Sequence, residues 1–389
     1  MQFNFDTITP RRGTLSYKWD SAPEGVLPMW VADMDFKTAP AIIEALRKRV
    51  DNGIFGYTRV PDEYFDAVIS WFSRKHGWHI DRDMMIYTSG VVPAISAIIK
   101  ALANPGEKVI VQTPVYNCFF SSIRNNGCVI MESPLIKNGD TYDIDFDRLE
   151  KDASDPKATL MLLCNPHNPA GRVWSSDELT RIADICRRHD VTVISDEIHC
   201  EFVFDGYHYT PFANVAKATG CKSVVCVSPS KAFNIAGLQI ANIIAPDEDT
   251  RARIDKAINI NEVCDVNPFG VIATIAAYNE GEEWLTQLLA YIKGNYEYMK
   301  EFCEKNLPEF PIAKLEATYL VWMDCTALGL KSETLEEKLI EDVNLWLNAG
   351  TMYGTIDGEG YMRWNIACPR SVLDDGLHRF LNFVKATKA

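Results

Sequence analysis

The chain lacks the features that mark several classes of protein. Its eleven cysteines include no CxxC pair, so nothing suggests a structural zinc site. They fall at irregular spacings, with Cys164 and Cys226 inside apolar runs, as reduced core thiols do and disulfide frameworks do not. Positive charge is scarce: 39 Lys and Arg against 53 Asp and Glu leave a net charge of −14. The basic runs RRG (11–13) and RKR (47–49) are short and isolated. Nucleic-acid binding needs clustered Lys and Arg against phosphate, so no nucleic-acid partner is expected. No apolar run approaches the roughly 18 residues of a membrane span, and no membrane association is expected. The opening MQFNFDTITPRRG has no apolar stretch of the export-signal kind, so a cytoplasmic location is expected. Internal repeats, low-complexity tracts and long linkers are missing too, which excludes a solenoid and predicts one compact unit.

What is present is an ordinary globular composition, 47% hydrophobic and 24% charged over 389 residues, enough for a large core and more than one domain. From about residue 84, short apolar runs alternate with amphipathic stretches. Strands are predicted at 84–89, 108–112, 128–133, 159–164, 191–196, 223–228 and 239–245. Their near-continuous apolar character suits strands covered on both faces, hence an α/β fold whose large domain holds a mainly parallel seven-stranded sheet. Among the helical stretches SSDELTRIADICRRHD (175–190) is clearest, with Ser175 and Glu178 spaced as a capping box. Residues 1–45 read as an N-terminal arm and 46–284 as the large domain. Residues 285–389 read as a smaller α+β domain on which the arm packs. A long helical stretch (282–306) leads into that smaller domain. It then carries TYLVWMD (318–324), a helix near 333–349 and GYMRWNIACP (360–369).

Ligands of parallel α/β sheets sit beyond the carboxyl ends of the strands. The polar residues just past those ends are Ser89, Gly90 and Val91 opening a helix, Tyr116, Asn168, Asp196 with His199, and Ser228, Ser230 and Lys231. Their chemistry is complementary. A helix N-terminus at Gly90 and Val91 offers bare N–H groups to an anion, and Ser89, Ser228 and Ser230 offer hydroxyls. Asp196 ends a buried strand, where a carboxylate needs a cation. Lys231, where a buried strand opens into a loop, needs an anion or a covalent partner. A phosphorylated aromatic aldehyde with a basic ring nitrogen meets every demand, and the expected cofactor is pyridoxal 5′-phosphate. Lys231 would bind its aldehyde, Asp196 would hold its ring nitrogen protonated, Asn168 would face the ring hydroxyl and Tyr116 would stack on the ring. Lys231, Asp196 and Tyr116 are the candidate catalytic residues. Taken singly, Lys231 reads equally as a solvated loop lysine, Asp196 as a helix cap and Tyr116 as packing; their joint order carries the argument. His76 and His79, in HGWH, have metal-like spacing but no third ligand nearby and read as loop residues. No metal is expected. Cys200 beside His199 should point away from it.

The order Asn168 in NPHNPAG, Asp196 in SDE and Lys231 in SPSK resembles the fold-type-I, class I/II aminotransferase superfamily of pyridoxal phosphate enzymes. LPMWVADMDF (27–36), FGYT (55–58), SDEIH, SPSKAFNIAGLQ and RWNIACPR (363–370) look like its PatB/MalY-type cystathionine β-lyases. The resemblance implies a homodimer with the active site at the subunit interface, Tyr57 reaching across it to the partner's cofactor. It implies Arg363 as the seat of the substrate α-carboxylate, and a substrate entrance lined by Val31 to Phe36, including Asp33. Asn168 and Tyr57 would also face the amino-acid substrate. Gln239 stands where most aminotransferases carry a phosphate-binding arginine, and His199 where they carry a tyrosine; both departures match the lyase branch. The implied activity is cleavage of L-cystathionine or related cysteine S-conjugates to a thiol, pyruvate and ammonia. The alternatives are a class I/II aminotransferase using the same residues and a regulatory, partner-binding protein built on this scaffold.

Overall fold

Seven strands form where apolar runs predict them, and in the computed structural model, which describes residues 2–388, they lie in one sheet. In chain order they are β1 (Met85–Thr88), β2 (Lys108–Val111), β3 (Val129–Glu132), β4 (Ala158–Cys164), β5 (Thr192–Asp196), β6 (Ser223–Val227) and β7 (Ala241–Ile244). Across the sheet the order is β1-β7-β6-β5-β4-β2-β3. β7 runs antiparallel to both its neighbours, and the remaining pairs are parallel. The reason lies in the connection. Between β6 and β7 the chain makes only the turns Pro229–Ala232 and Ala236–Leu238. A parallel return usually runs through a crossover helix that spans the sheet, and the two short turns of this link make none, so the chain turns back antiparallel.

Helices cover both faces. The one at Ser176–Arg188 starts on the predicted capping box, with Ser175 accepting from the Glu178 N–H and the Glu178 carboxylate accepting from the Ser175 N–H. The helix Asp62–His76 ends on Gly77 at φ 59, a left-handed cap that glycine adopts without strain. His76 is therefore the last residue of a helix, not part of a loop as its motif suggested. Beyond the helix Glu282–Asn306 lies an antiparallel sheet of β8 (Leu320–Asp324), β9 (Asn348–Ala349) and β10 (Tyr361–Asn365), ordered β8-β10-β9. The helix predicted near 333–349 spans Ser332–Val343 and stops at Asn344, whose left-handed φ of 54 breaks the helical path. Residues 27–29 join this region by main-chain pairing of Leu27–Pro28 with Leu345–Trp346 and by the Asn365 N–H to the Met29 carbonyl at 2.9 Å. Among the described residues no helix is long and apolar enough to cross a membrane.

Candidate active site

Register explains how residues far apart in sequence meet. Cys164 pairs with Asp196 and Asp196 with Cys226, so the turns after β4, β5 and β6 emerge side by side at one edge of the sheet. A cavity of about 190 Å³ opens there, lined by Gly90, Val91, Tyr116, Asn168, Asp196, His199, Ser230 and Lys231 among the expected residues. Lys231 sits on the turn Pro229–Ala232, and its Nζ donates to the Ala32 carbonyl at 2.6 Å. The Tyr319 hydroxyl donates to the same carbonyl at 3.0 Å. Burial, then the nearby Arg363 charge, lowers the Lys231 amine to about 8, so a large fraction is neutral near pH 8.

Asp196 is buried and, among the described residues, accepts only the Ile198 N–H, at 3.1 Å; burial pushes its carboxyl up to about 6. The helix Val91–Leu102 has no side-chain cap, and its first bonded N–H is that of Ala94, to the Gly90 carbonyl at 3.0 Å. Pro93 has no N–H, which leaves those of Val91 and Val92 facing the cavity's edge with the positive end of the helix behind them. His199 stays neutral: burial and the charges of Lys231 and Arg363 pull its imidazole down to about 3. Its Nδ1 is buried without a partner, and its ring packs edge-on against Tyr319. Burial also raises the Tyr116 hydroxyl well above its usual range.

Arg363, on β10, adjoins the cavity. It donates to Asn168 Oδ1 at 3.3 Å and to the Trp30 carbonyl at 2.8 Å, while its buried Nε has no partner among the described residues. Asp33 lies beside Ala32; one oxygen holds Arg11 at 2.6 Å and the other, Oδ1, is buried and unpartnered.

Three expected residues are not gathered. Ser89 lines a separate cavity with Lys100 and Asn126. Ser228 gives its hydroxyl proton to the Ile240 carbonyl at 2.6 Å and accepts from the Ser230 N–H at 3.1 Å. It caps the lysine turn. Tyr57 is fully exposed, away from this cavity. Ala32 falls in the Val31–Phe36 segment expected at the substrate entrance, whereas sequence reasoning missed Cys164, Ile198 and Tyr319, which carried no signal. Cys200 faces the core, as expected. It lies there with His76 and Glu201, whose ligand atoms all fall within 4.8 Å, so a third group does stand beside His76. Glu201 already accepts from Trp71 Nε1 at 2.6 Å and pairs with His76 Nε2 at 2.9 Å, so the cluster is a satisfied hydrogen-bond network.

A half-buried amine, a donor-poor carboxylate and an open helix N-terminus at the carboxyl edge of a parallel sheet define a site for a phosphorylated aldehyde cofactor, and the orphaned His199 Nδ1 adds a polar atom on its wall. The sequence model described as aminotransferase class I and II matches residues 25–380, and the chain belongs to that family. It is 43% identical over 381 residues to cystathionine beta-lyase PatB of Bacillus subtilis (strain 168), covering 97% of this chain and 98% of PatB. It is 35% identical over 393 residues to protein MalY of Escherichia coli (strain K12), covering 99% and 100%. Among solved structures, cystalysin from Treponema denticola, which contains a pyridoxal 5′-phosphate cofactor, superposes with a TM-score of 0.96 at 36% identity, over 99% of this chain and 100% of that one.

Proposed function

We propose that this chain is a pyridoxal phosphate-dependent carbon–sulfur β-lyase acting on L-cystathionine or related cysteine S-conjugates. The observation that carries the reading is Lys231 Nζ, a half-buried amine of lowered basicity sharing one cavity with the donor-poor Asp196. When bound, the cofactor supplies a sink for the electrons left at Cα. Lys231 and Asp196 would hold it, the Val91 and Val92 N–H groups would serve its phosphate, and Tyr116 would pack against it. Asp196 would keep a proton on the ring nitrogen. Lys231 takes the proton from substrate Cα, the step that precedes loss of thiolate from Cβ. Arg363 offers its free Nε and remaining N–H groups to the α-carboxylate. The name of PatB supports a lyase over an aminotransferase. With L-cystathionine alone, the protein should release homocysteine and pyruvate; a requirement for an added keto acid would make it an aminotransferase.

The same reading takes residues 1–45 as an arm, 46–284 as the cofactor domain and 285–389 as the smaller domain carrying Arg363. It includes a homodimer and a cytoplasmic setting. Exposed Ile54, Phe55, Tyr57, Ile260 and Val263 support the dimer, with Phe55 seated 5.8 Å from Phe269. Eleven unpaired cysteines support a reducing compartment. Sedimentation should give twice the chain mass, and Phe55→Glu should shift it to a monomer; a monomeric parent with full activity would exclude a shared site.

A further inference from the structure

Tyr353 is buried at 1% exposure and sits beneath Arg363, its ring 4.7 Å from the guanidinium carbon. Its hydroxyl accepts from Asn348 Nδ2 at 2.9 Å, and that amide also donates to the Trp30 carbonyl at 3.0 Å. The Trp30 carbonyl is the one that takes Arg363 at 2.8 Å. Ring, amide and carbonyl thus close a frame around the guanidinium. Trp322 meets the Tyr353 ring edge-on at 5.6 Å and keeps it in place. The main-chain carbonyl of Tyr353 accepts the Val115 N–H at 2.7 Å, one residue before Tyr116.

We propose that Tyr353 is a positioning residue for the substrate carboxylate. Its ring sets the plane of Arg363, so that Nε and the N–H groups not held by Asn168 and Trp30 face the substrate. This rests on the reading of Arg363 as the carboxylate seat. Arginine is a flexible side chain, and a face already stacked on an aromatic ring loses less freedom when the ligand arrives. The Val115 anchor uses backbone only, so a side-chain change at 353 leaves the Tyr116 turn in place.

The test uses the cofactor-loaded enzyme with Tyr353→Leu and Tyr353→Phe. The leucine variant should raise KM for L-cystathionine about 10-fold, with kcat within about 2-fold and the cofactor absorbance unchanged. The phenylalanine variant keeps the ring and should return KM to within about 3-fold of the parent. A readout without turnover is the calorimetric Kd of 3-(methylthio)propionate, a carboxylate with no amine to react, which should weaken about 10-fold in the leucine variant alone. Unchanged KM and Kd, equal losses in both variants, or a fall in kcat with altered absorbance would each overturn the proposal. If Tyr353→Leu does not fold, Asn348→Ala, which frees the Tyr353 hydroxyl and one anchor of the Trp30 carbonyl, should raise KM about 3-fold, and no change would overturn it. S-ethyl-L-cysteine and its amide separate the two levels. A parent that turns over the amide as well as the acid refutes Arg363 as the carboxylate seat. A parent that strongly prefers the acid, beside a leucine variant that matches it, refutes Tyr353 only.

Discussion

Two acids stand side by side at the end of β5. Glu197 turns into the packed layer, where Ser195 Oγ at 2.8 Å, the Phe212 N–H at 2.9 Å, Asn165 Nδ2 at 3.2 Å and the Tyr209 hydroxyl all donate to it. Asp196 turns to the cavity and receives one donor, the Ile198 N–H. Burial lifts both, Asp196 to about 6 and the more deeply buried Glu197 to about 7, with the donors of Glu197 pulling the other way. The difference separates structure from function. A buried carboxylate surrounded by donors has found its partners within the chain. One left with a single donor is a local cost to the fold, and it makes sense where a cation arrives from outside.

Substitutions can break this contrast. Lys231→Ala should cut turnover by about 10³-fold or more and abolish the absorbance of lysine-bound cofactor; activity close to the parent would reject its role. Asp196→Asn should lower kcat by roughly 10²–10³-fold while the thermal midpoint stays level or rises, since an under-partnered buried charge is removed. Glu197→Gln should do the reverse. Its kcat should stay within about 2-fold, but the new amide meets donors and should lower unfolding stability by about 1–3 kcal/mol in a denaturant titration. Equal effects of the two substitutions on kcat would erase the distinction.

Proton equilibria sharpen it further. Lys231 must be neutral to accept the Cα proton, and its amine lies at about 8. Turnover should therefore climb as pH rises toward about 8 and then level; a flat profile between about pH 6 and 9 would reject Lys231 as acceptor. The smallest effect concerns Glu197. Its folded value, about 7, lies above its ordinary 4.5, so the folded chain binds the extra proton between them. Stability should fall as pH rises through that window, and the Glu197 share of the slope should vanish in Glu197→Gln.

Much of this site was legible because apolar runs stop abruptly at polar residues. Asn168, Asp196 and Lys231 each follow such a stop, and parallel pairing sets them abreast. The direction of β7 was not legible from its apolar pattern, which is the same for either orientation. The hydroxyl partner of Ser228, the Ile240 carbonyl, was not legible because it lies across a turn whose path the sequence does not display. Tyr319 and Tyr353 were missed because they reach the site from distant segments, and Ala32 was expected only as part of the entrance because it acts through its backbone.

The antiparallel β7 has one more consequence. Val227 is paired with Asn242 and Ser228 is tied to Ile240 ahead of Lys231, and the Ile235 N–H closes on the Ser230 carbonyl at 3.0 Å after it, so the peptide carrying Lys231 is pinned on both flanks. The reach of the ammonium is then a matter of side-chain torsions alone. An amine one carbon shorter or longer at this position would find no slack in the main chain to absorb the mismatch.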